Sequence, residues 1–127
     1  MKTRGQLEAE ISEALTRFEK DYMGRGPTET RTHLFEDIVL VRLRGVLTPA
    51  EQQLIQGENP LEGRRLVKRM RAELLENAHP LLEAVINEIT GSTVVSMHTD
   101  ISTTTGERVI IFVLDEHVIS LGKRANT

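Results

Sequence analysis

From Pro60 to Thr90 the apolar residues Leu66, Val67, Met70, Leu74, Ala78, Leu81, Val85 and Ile89 recur at helical spacing, and no other stretch constrains the fold as much. A straight helix of that extent would measure roughly 46 Å at ~1.5 Å per residue. A chain of this length packs into a domain whose radius of gyration is only about 14 Å. The helix must therefore cross the whole domain or bend. Pro80 stands inside it, where it removes a ladder hydrogen bond and crowds the preceding turn. The sequence predicts a kink or a break at His79-Pro80, with the second piece folding back or projecting as an interaction arm. The lack of a strong capping residue at His79 favours the kink.

Two starts precede this helix. Asn59-Pro60-Leu61-Glu62 places a capping Asn before Pro at the first helical position, and Thr48-Pro49-Ala50-Glu51 does the same with Thr and a Glu to complete a capping box. The earlier helix is short because Gly57 stops it. A further amphipathic helix is expected from Thr3 to about Met23, with Leu7, Ile11, Ala14, Leu15, Phe18 and Tyr22 on one stripe. Gly24-Arg25-Gly26-Pro27 ends it.

Elsewhere the period is two. Thr30, Thr32 and Leu34 alternate with Arg31, His33 and Phe35, Glu36-Asp37 turns the chain, and Ile38 to Leu43 reads as a more buried strand closed by Gly45. Val94 to Ile101 and Val109 to Leu114 form a second hairpin around the polar connector Ser102 to Glu107. The expected fold is α+β in the order α-β-β-α-α-β-β. Two antiparallel hairpins make one mainly antiparallel four-stranded sheet with helices packed against it. One domain over residues 1–121 is expected, followed by a frayed tail at 122–127.

Composition removes several function classes. The 127 residues carry 16 Lys and Arg against 19 Asp and Glu, a net charge of -3, so no overall basic field is available to hold nucleic acid. Without cysteine there are no disulfides, thiolate metal sites or cysteine nucleophiles. No apolar run approaches the ~20 residues of a membrane span, and MKTRGQLEAE does not read as a signal peptide, so a cytoplasmic protein is expected.

Three stretches could carry chemistry. On a strand, Ser96, His98 and Asp100 share a face, opposite Val95, Met97 and Thr99. Such a His and Asp can hydrogen-bond, ligate or shuttle a proton, but they are too few for a structural metal site, and His33 is the only other strand histidine that could join them. The hydroxyls of Ser102, Thr103 and Thr105, with Arg108, could grip a small anion, although a hydrogen-bonded hairpin turn accounts for the same residues. Arg25 invites the same reading. It stands at a helix C-terminus, which repels anions, so turn geometry is the purpose taken for its segment. Finally, Arg64, Arg65, Lys68, Arg69 and Arg71 form a basic helix face suited to a protein or other anionic partner. Scarce aromatics disfavour single-stranded nucleic acid. No catalytic, metal or cofactor signature appears.

Gly24-Arg25-Gly26-Pro27, then Val41 to Glu51 (VRLRGVLTPAE), then His98-Thr99-Asp100-Ile101-Ser102-Thr103 and Thr105-Gly106-Glu107-Arg108-Val109 resemble the MpsC-like domain, a bacterial family long catalogued as a domain of unknown function. The resemblance covers about residues 4 to 118. It implies the setting of a sodium-translocating, membrane-potential-generating system whose other components are similar to inorganic-carbon accumulation complexes. It brings no catalytic residues with it. Lacking a span, this chain is expected to serve as a cytoplasmic accessory or regulatory partner, peripheral to the inner membrane through transport subunits, with a small anion as ligand. The alternatives are a nucleic-acid-binding module using the basic face, and an enzyme using His98 and Asp100.

The strand from Val109 to Leu114 is apolar on both faces, and one helical layer covers only one of them. The piece after Pro80, with Leu81, Leu82, Val85, Ile86 and Ile89, is also broadly apolar. A two-fold homodimer burying sheet or helix surface is therefore expected.

Overall fold

Seven elements follow one another in a computed structural model that describes residues 2–116. The end expected at residue 121 and the tail at 122–127 lie outside the described residues. Helix α1 spans Arg4–Met23. A capping box opens it: Thr3 Oγ1 accepts from Gln6 N at 3.1 Å, and Gln6 Oε1 accepts from Thr3 N at 2.7 Å. Strands β1 (Glu29–Phe35) and β2 (Ile38–Arg44) make the first hairpin. Helices α2 (Pro49–Gln56) and α3 (Pro60–Thr90) come next, then the hairpin of β3 (Val94–Ile101) and β4 (Arg108–Leu114). The strands form one sheet in the order β1-β2-β4-β3, antiparallel throughout. This is the α+β fold that the periodicity predicts.

Helix α3 resolves the question posed by its length. It runs unbroken from Pro60 to Thr90, with Pro80 exposed inside it, so there is no break and no folded-back piece. It crosses the domain instead, touching α2, α1 and β3 along its course. Its core face is also turned from the expected one. Gly63, Val67, Arg71, Leu75, Ala78, Leu82, Ile86 and Thr90 are buried, while Leu66, Met70 and Leu81 face outward. The sequence carries two neighbouring apolar stripes here, and the one interrupted by Gly and Arg is the one that packs. At Gly63 α3 comes close to the backbone of α2. A Cβ at that position would lie 1.8 Å from the Leu54 carbonyl oxygen, so only glycine permits the approach.

All helices lie on one side of the sheet. Leu34, Val39, Val41, Leu43, Ile110, Phe112 and Leu114 point into the core they share with Leu7, Ile11 and Leu15 of α1 and with Val67, Leu75 and Leu82 of α3. The alternation predicted for β3 fails at its start. A register shift between Val94 and Ser96 turns Val94 inward and leaves Val95 61% exposed, so Val95 does not share a face with Met97.

Candidate functional site

Three segments distant in sequence meet at one end of the sheet. Helix α1 stops at Gly24 in the left-handed conformation, φ 97°, and hands the chain to Arg25. Strand β2 ends at Gly45, φ 67°, and leads through Val46 and Leu47 into α2. The β3–β4 connector closes at Gly106, φ 75°. Val46 N donates to Gly106 O at 3.1 Å, and Arg25 Nη1 donates to Leu47 O at 3.3 Å, so all three are tied together. Between them lies a cleft of about 290 Å³, bordered by Arg25, Gln52, Gln56, Thr103, Thr104 and Thr105 among others. A guanidinium, two amides and several hydroxyls border it beside the apolar Leu47 and Ile55, with Gln52 Nε2 also donating to Leu47 O at 3.4 Å; the polar part of the lining offers donors to an oxyanion.

The connector itself is a well-bonded turn. Ser102 N donates to Glu107 O at 2.9 Å, Gly106 N to Ser102 O at 2.8 Å, and Thr105 N to Ser102 Oγ at 3.1 Å. Ser102 Oγ and Thr105 Oγ1 thus hold the turn's own backbone, whereas the Thr103 and Thr104 hydroxyls make no hydrogen bond among the described residues.

The candidate ligand residues read from the sequence do not form one group. Ser96, His98 and Asp100 lie on the sheet face away from the helices, with His98 Nε2 3.2 Å from Ser96 Oγ. Asp100 is paired with Lys68 at 3.4 Å and accepts from Ile101 N, so the His98–Asp100 pair that an enzyme reading needs is not formed. His33 shares that face but stands on the opposite edge strand, about 14 Å away across three strand spacings. Among the described residues no three His, Asp or Glu side chains assemble as a metal set. Arg108 lies on the other side of the sheet, 2% exposed, and cannot reach the cleft ligand set with them.

The basic face also needs correction. Arg64, Arg65, Lys68 and Arg69 are exposed on α3, but Arg71 is 1% exposed and belongs to the interior. Its Nε and Nη2 donate to the two carboxylate oxygens of Glu51, each at 2.7 Å; Nη1 donates to Glu19 Oε1 at 2.9 Å, and Nη2 also to Val46 O at 2.9 Å. Burial opposes the Glu51 charge, yet hydrogen bonds from Arg71 and Thr48 outweigh it and hold the carboxyl below its ordinary range. Burial likewise opposes the Arg71 cation, and Glu51 and Glu19 together hold it above its ordinary range. Arg108 completes the cluster, its Nε 3.6 Å from Glu19 Oε2. Burial pushes its guanidinium down to about 10 despite the attraction of Glu19. The formal charges of Glu19, Glu51, Arg71 and Arg108 balance. The cluster ties α1, α2, α3, the segment after β2 and the start of β4 together.

Sequence reasoning passes over Glu19, Gln52 and Gln56, and assigns Glu51 only to capping. Glu19 and Arg71 did carry a signal: each stands four residues from a core position on its helix stripe, Leu15 and Val67 respectively.

The sequence model of the family described as the Na+-translocating membrane potential-generating system (MpsC) matches residues 3–116. The uncharacterized protein YbcI of Bacillus subtilis (strain 168) is 43% identical over 113 residues, covering 89% of this chain and 89% of that protein. No solved structure matches.

Proposed function

We propose that this chain, which belongs to the MpsC family, is an accessory domain that docks on the membrane subunits of a sodium-translocating, inorganic-carbon-linked transport system and responds to a small anion. The family description supplies the sodium-translocating setting, and the inorganic-carbon link rests on the wider resemblance of that system. No described helix is long and apolar enough to cross a membrane, so an ion path would have to be built by other subunits. The chain would then act from the cytoplasm, reaching the inner membrane through its partner. The exposed ridge of Arg64, Arg65, Lys68 and Arg69 offers an acidic protein surface a docking face.

The observation that carries the reading is the convergence of the Arg25, Gly45–Leu47 and Thr103–Gly106 segments on one cleft. These belong to the three motifs on which the family resemblance rests, and their meeting point offers cationic and hydroxyl donors rather than a nucleophile or a metal set. A ligand there would touch the ends of α1, β2 and the β3–β4 turn at once, so its binding could be felt across the domain.

Affinity capture of the chain from native membranes tests the docking. Recovery of transport subunits, lost when Arg64, Arg65, Lys68 and Arg69 are changed to Glu, is the expected result; recovery of no transport component contradicts it. Calorimetric titration with bicarbonate, phosphate and acetate tests the cleft. Binding of at least one, abolished by Arg25→Gln, is expected, and binding that Arg25→Gln leaves unchanged would place the anion elsewhere.

A further inference from the structure

Strand alternation leaves the second face of the sheet with no described helix packed on it, Lys68 of α3 reaching only Asp100 at its edge, and the register sorts that face into rows. Nearest the β3–β4 turn, Arg44 stands 3.5 Å from Glu107. The next row runs Arg31, Arg42, Val109 and Asp100 from edge to edge. Beyond it come His33, Leu40, Ile111 and His98, and finally Phe35, Ile38, Val113 and Ser96. One end of the face is charged; toward the other, the central strands β2 and β4 are wholly apolar. Ile38, Leu40, Ile111 and Val113 are half-buried by their neighbours alone, and Phe35 is 44% exposed. A continuous apolar strip of this kind on a four-stranded sheet marks an interaction surface.

We propose that this face packs against the same face of a second copy, about a two-fold axis parallel to the strands. Sheets packed face to face lie about 10 Å apart with their strands nearly aligned. Rotation about such an axis keeps every row opposite itself while exchanging β1 with β3 and β2 with β4. Leu40 then meets the partner's Ile111, and Ile38 the partner's Val113. Arg44 faces the partner's Glu107, and Arg31 the partner's Asp100; Arg42 lies over the partner's Val109 but keeps its own Glu107 at 2.9 Å.

An axis across the strands through the middle of the face reverses the rows. It would set Arg44 over Ile38 and Arg42 over Leu40, burying charge against apolar side chains. Charge complementarity therefore selects the parallel axis. Edge-to-edge pairing is opposed by the charges that the edge strands carry, Glu29 and Arg31 on β1 and Asp100 on β3. The present partners of Arg31 and Asp100, namely Glu29 and Lys68, are exposed pairs of little energetic weight, so these charges can re-pair across the interface.

Sedimentation equilibrium of the full chain at micromolar concentration tests this. The expected result is a dimer that Ile111→Lys converts to a monomer with an unchanged circular dichroism spectrum. Arg31→Glu and Asp100→Arg should each weaken association about tenfold or more, and an equimolar mixture of the two should regain it, because only the mixed dimer pairs both charges correctly. Both of these positions are exposed, so the mixing experiment stands even where Ile111→Lys fails to fold. A wild-type monomer throughout, including one whose face is covered by its own residues 117–127, overturns the proposal. So does a dimer indifferent to Ile111→Lys, or two weakened variants whose mixture stays dissociated.

Discussion

Arg71→Met removes the centre of the buried ionic cluster and should be among the most damaging single substitutions in this protein. The arginine makes hydrogen bonds to Glu51, Glu19 and the Val46 carbonyl from a side chain that is 2% exposed, so solvent screening does little to soften the loss. Methionine fills much of the volume but leaves Glu51 without a cation and Glu19 with Arg108 alone, 3.6 Å away. Breaking a buried ion pair by deleting one partner costs about 3–5 kcal/mol. With an unfolding entropy of ~2.1 cal/mol/K per residue, a chain of this length loses about 11–19 °C of Tm for that amount. Urea denaturation and calorimetry measure both quantities. Arg64→Met, on the exposed part of the same helix, should stay within about 0.5 kcal/mol of wild type. The double variant Arg71→Met, Glu51→Gln should be more stable than Arg71→Met alone, since Glu19 keeps Arg108 as its partner and no unpaired charge is left behind. Equal stability of Arg71→Met and Arg64→Met would refute the reasoning.

Three further outcomes are expected. Gly63→Ala should cost about 1–3 kcal/mol or more in urea denaturation, because its methyl group runs into the Leu54 carbonyl and forces α2 and α3 apart; an unchanged midpoint would mean that the close approach is dispensable. Pro80→Ala restores a ladder donor on an exposed, unbroken helix and should raise Tm, with a gain of up to about 3 kcal/mol; a lower Tm would mean that α3 needs the proline's geometry to cross the domain. The Glu51 carboxyl lies below its ordinary 4.5 in the folded chain, so the unfolded chain takes up the proton first. Its contribution is fully present above about pH 4.5 and is lost as pH falls through the folded value, and Glu51→Gln should flatten that part of a stability-versus-pH curve; an unaltered acid limb would assign the effect elsewhere.

The order of elements is legible because each boundary is written in local chemistry. Thr3, Thr48 and Asn59 cap their helices, Glu36-Asp37 turns the first hairpin, and Gly24, Gly45 and Gly106 adopt positive φ where the chain must change direction. The phase of α3 is not legible in the same way. Leu66, Met70 and Leu81 look like core, whereas Gly63, Arg71 and Thr90, which are core, do not. Their burial depends on partners from other elements: the Leu54 carbonyl for Gly63, and Glu19 and Glu51 for Arg71. The candidate site shows the same division. The β3–β4 turn is read correctly as a hydrogen-bonded connector, but period-two alternation alone cannot say that Arg108 points inward toward Glu19 while Asp100 points out. Nor can spacing reveal that Arg25 and Thr103, on different elements, border one cleft.

The most direct test of the account is binding of the purified chain to inverted membrane vesicles prepared from cells with and without the sodium-translocating transport subunits. Quantified by co-sedimentation, the chain should bind saturably to vesicles that contain those subunits, remain in the supernatant with vesicles that lack them, and lose binding when Arg64, Arg65, Lys68 and Arg69 are replaced by Glu. Equal recovery from both kinds of vesicle, or no binding to either, would contradict it.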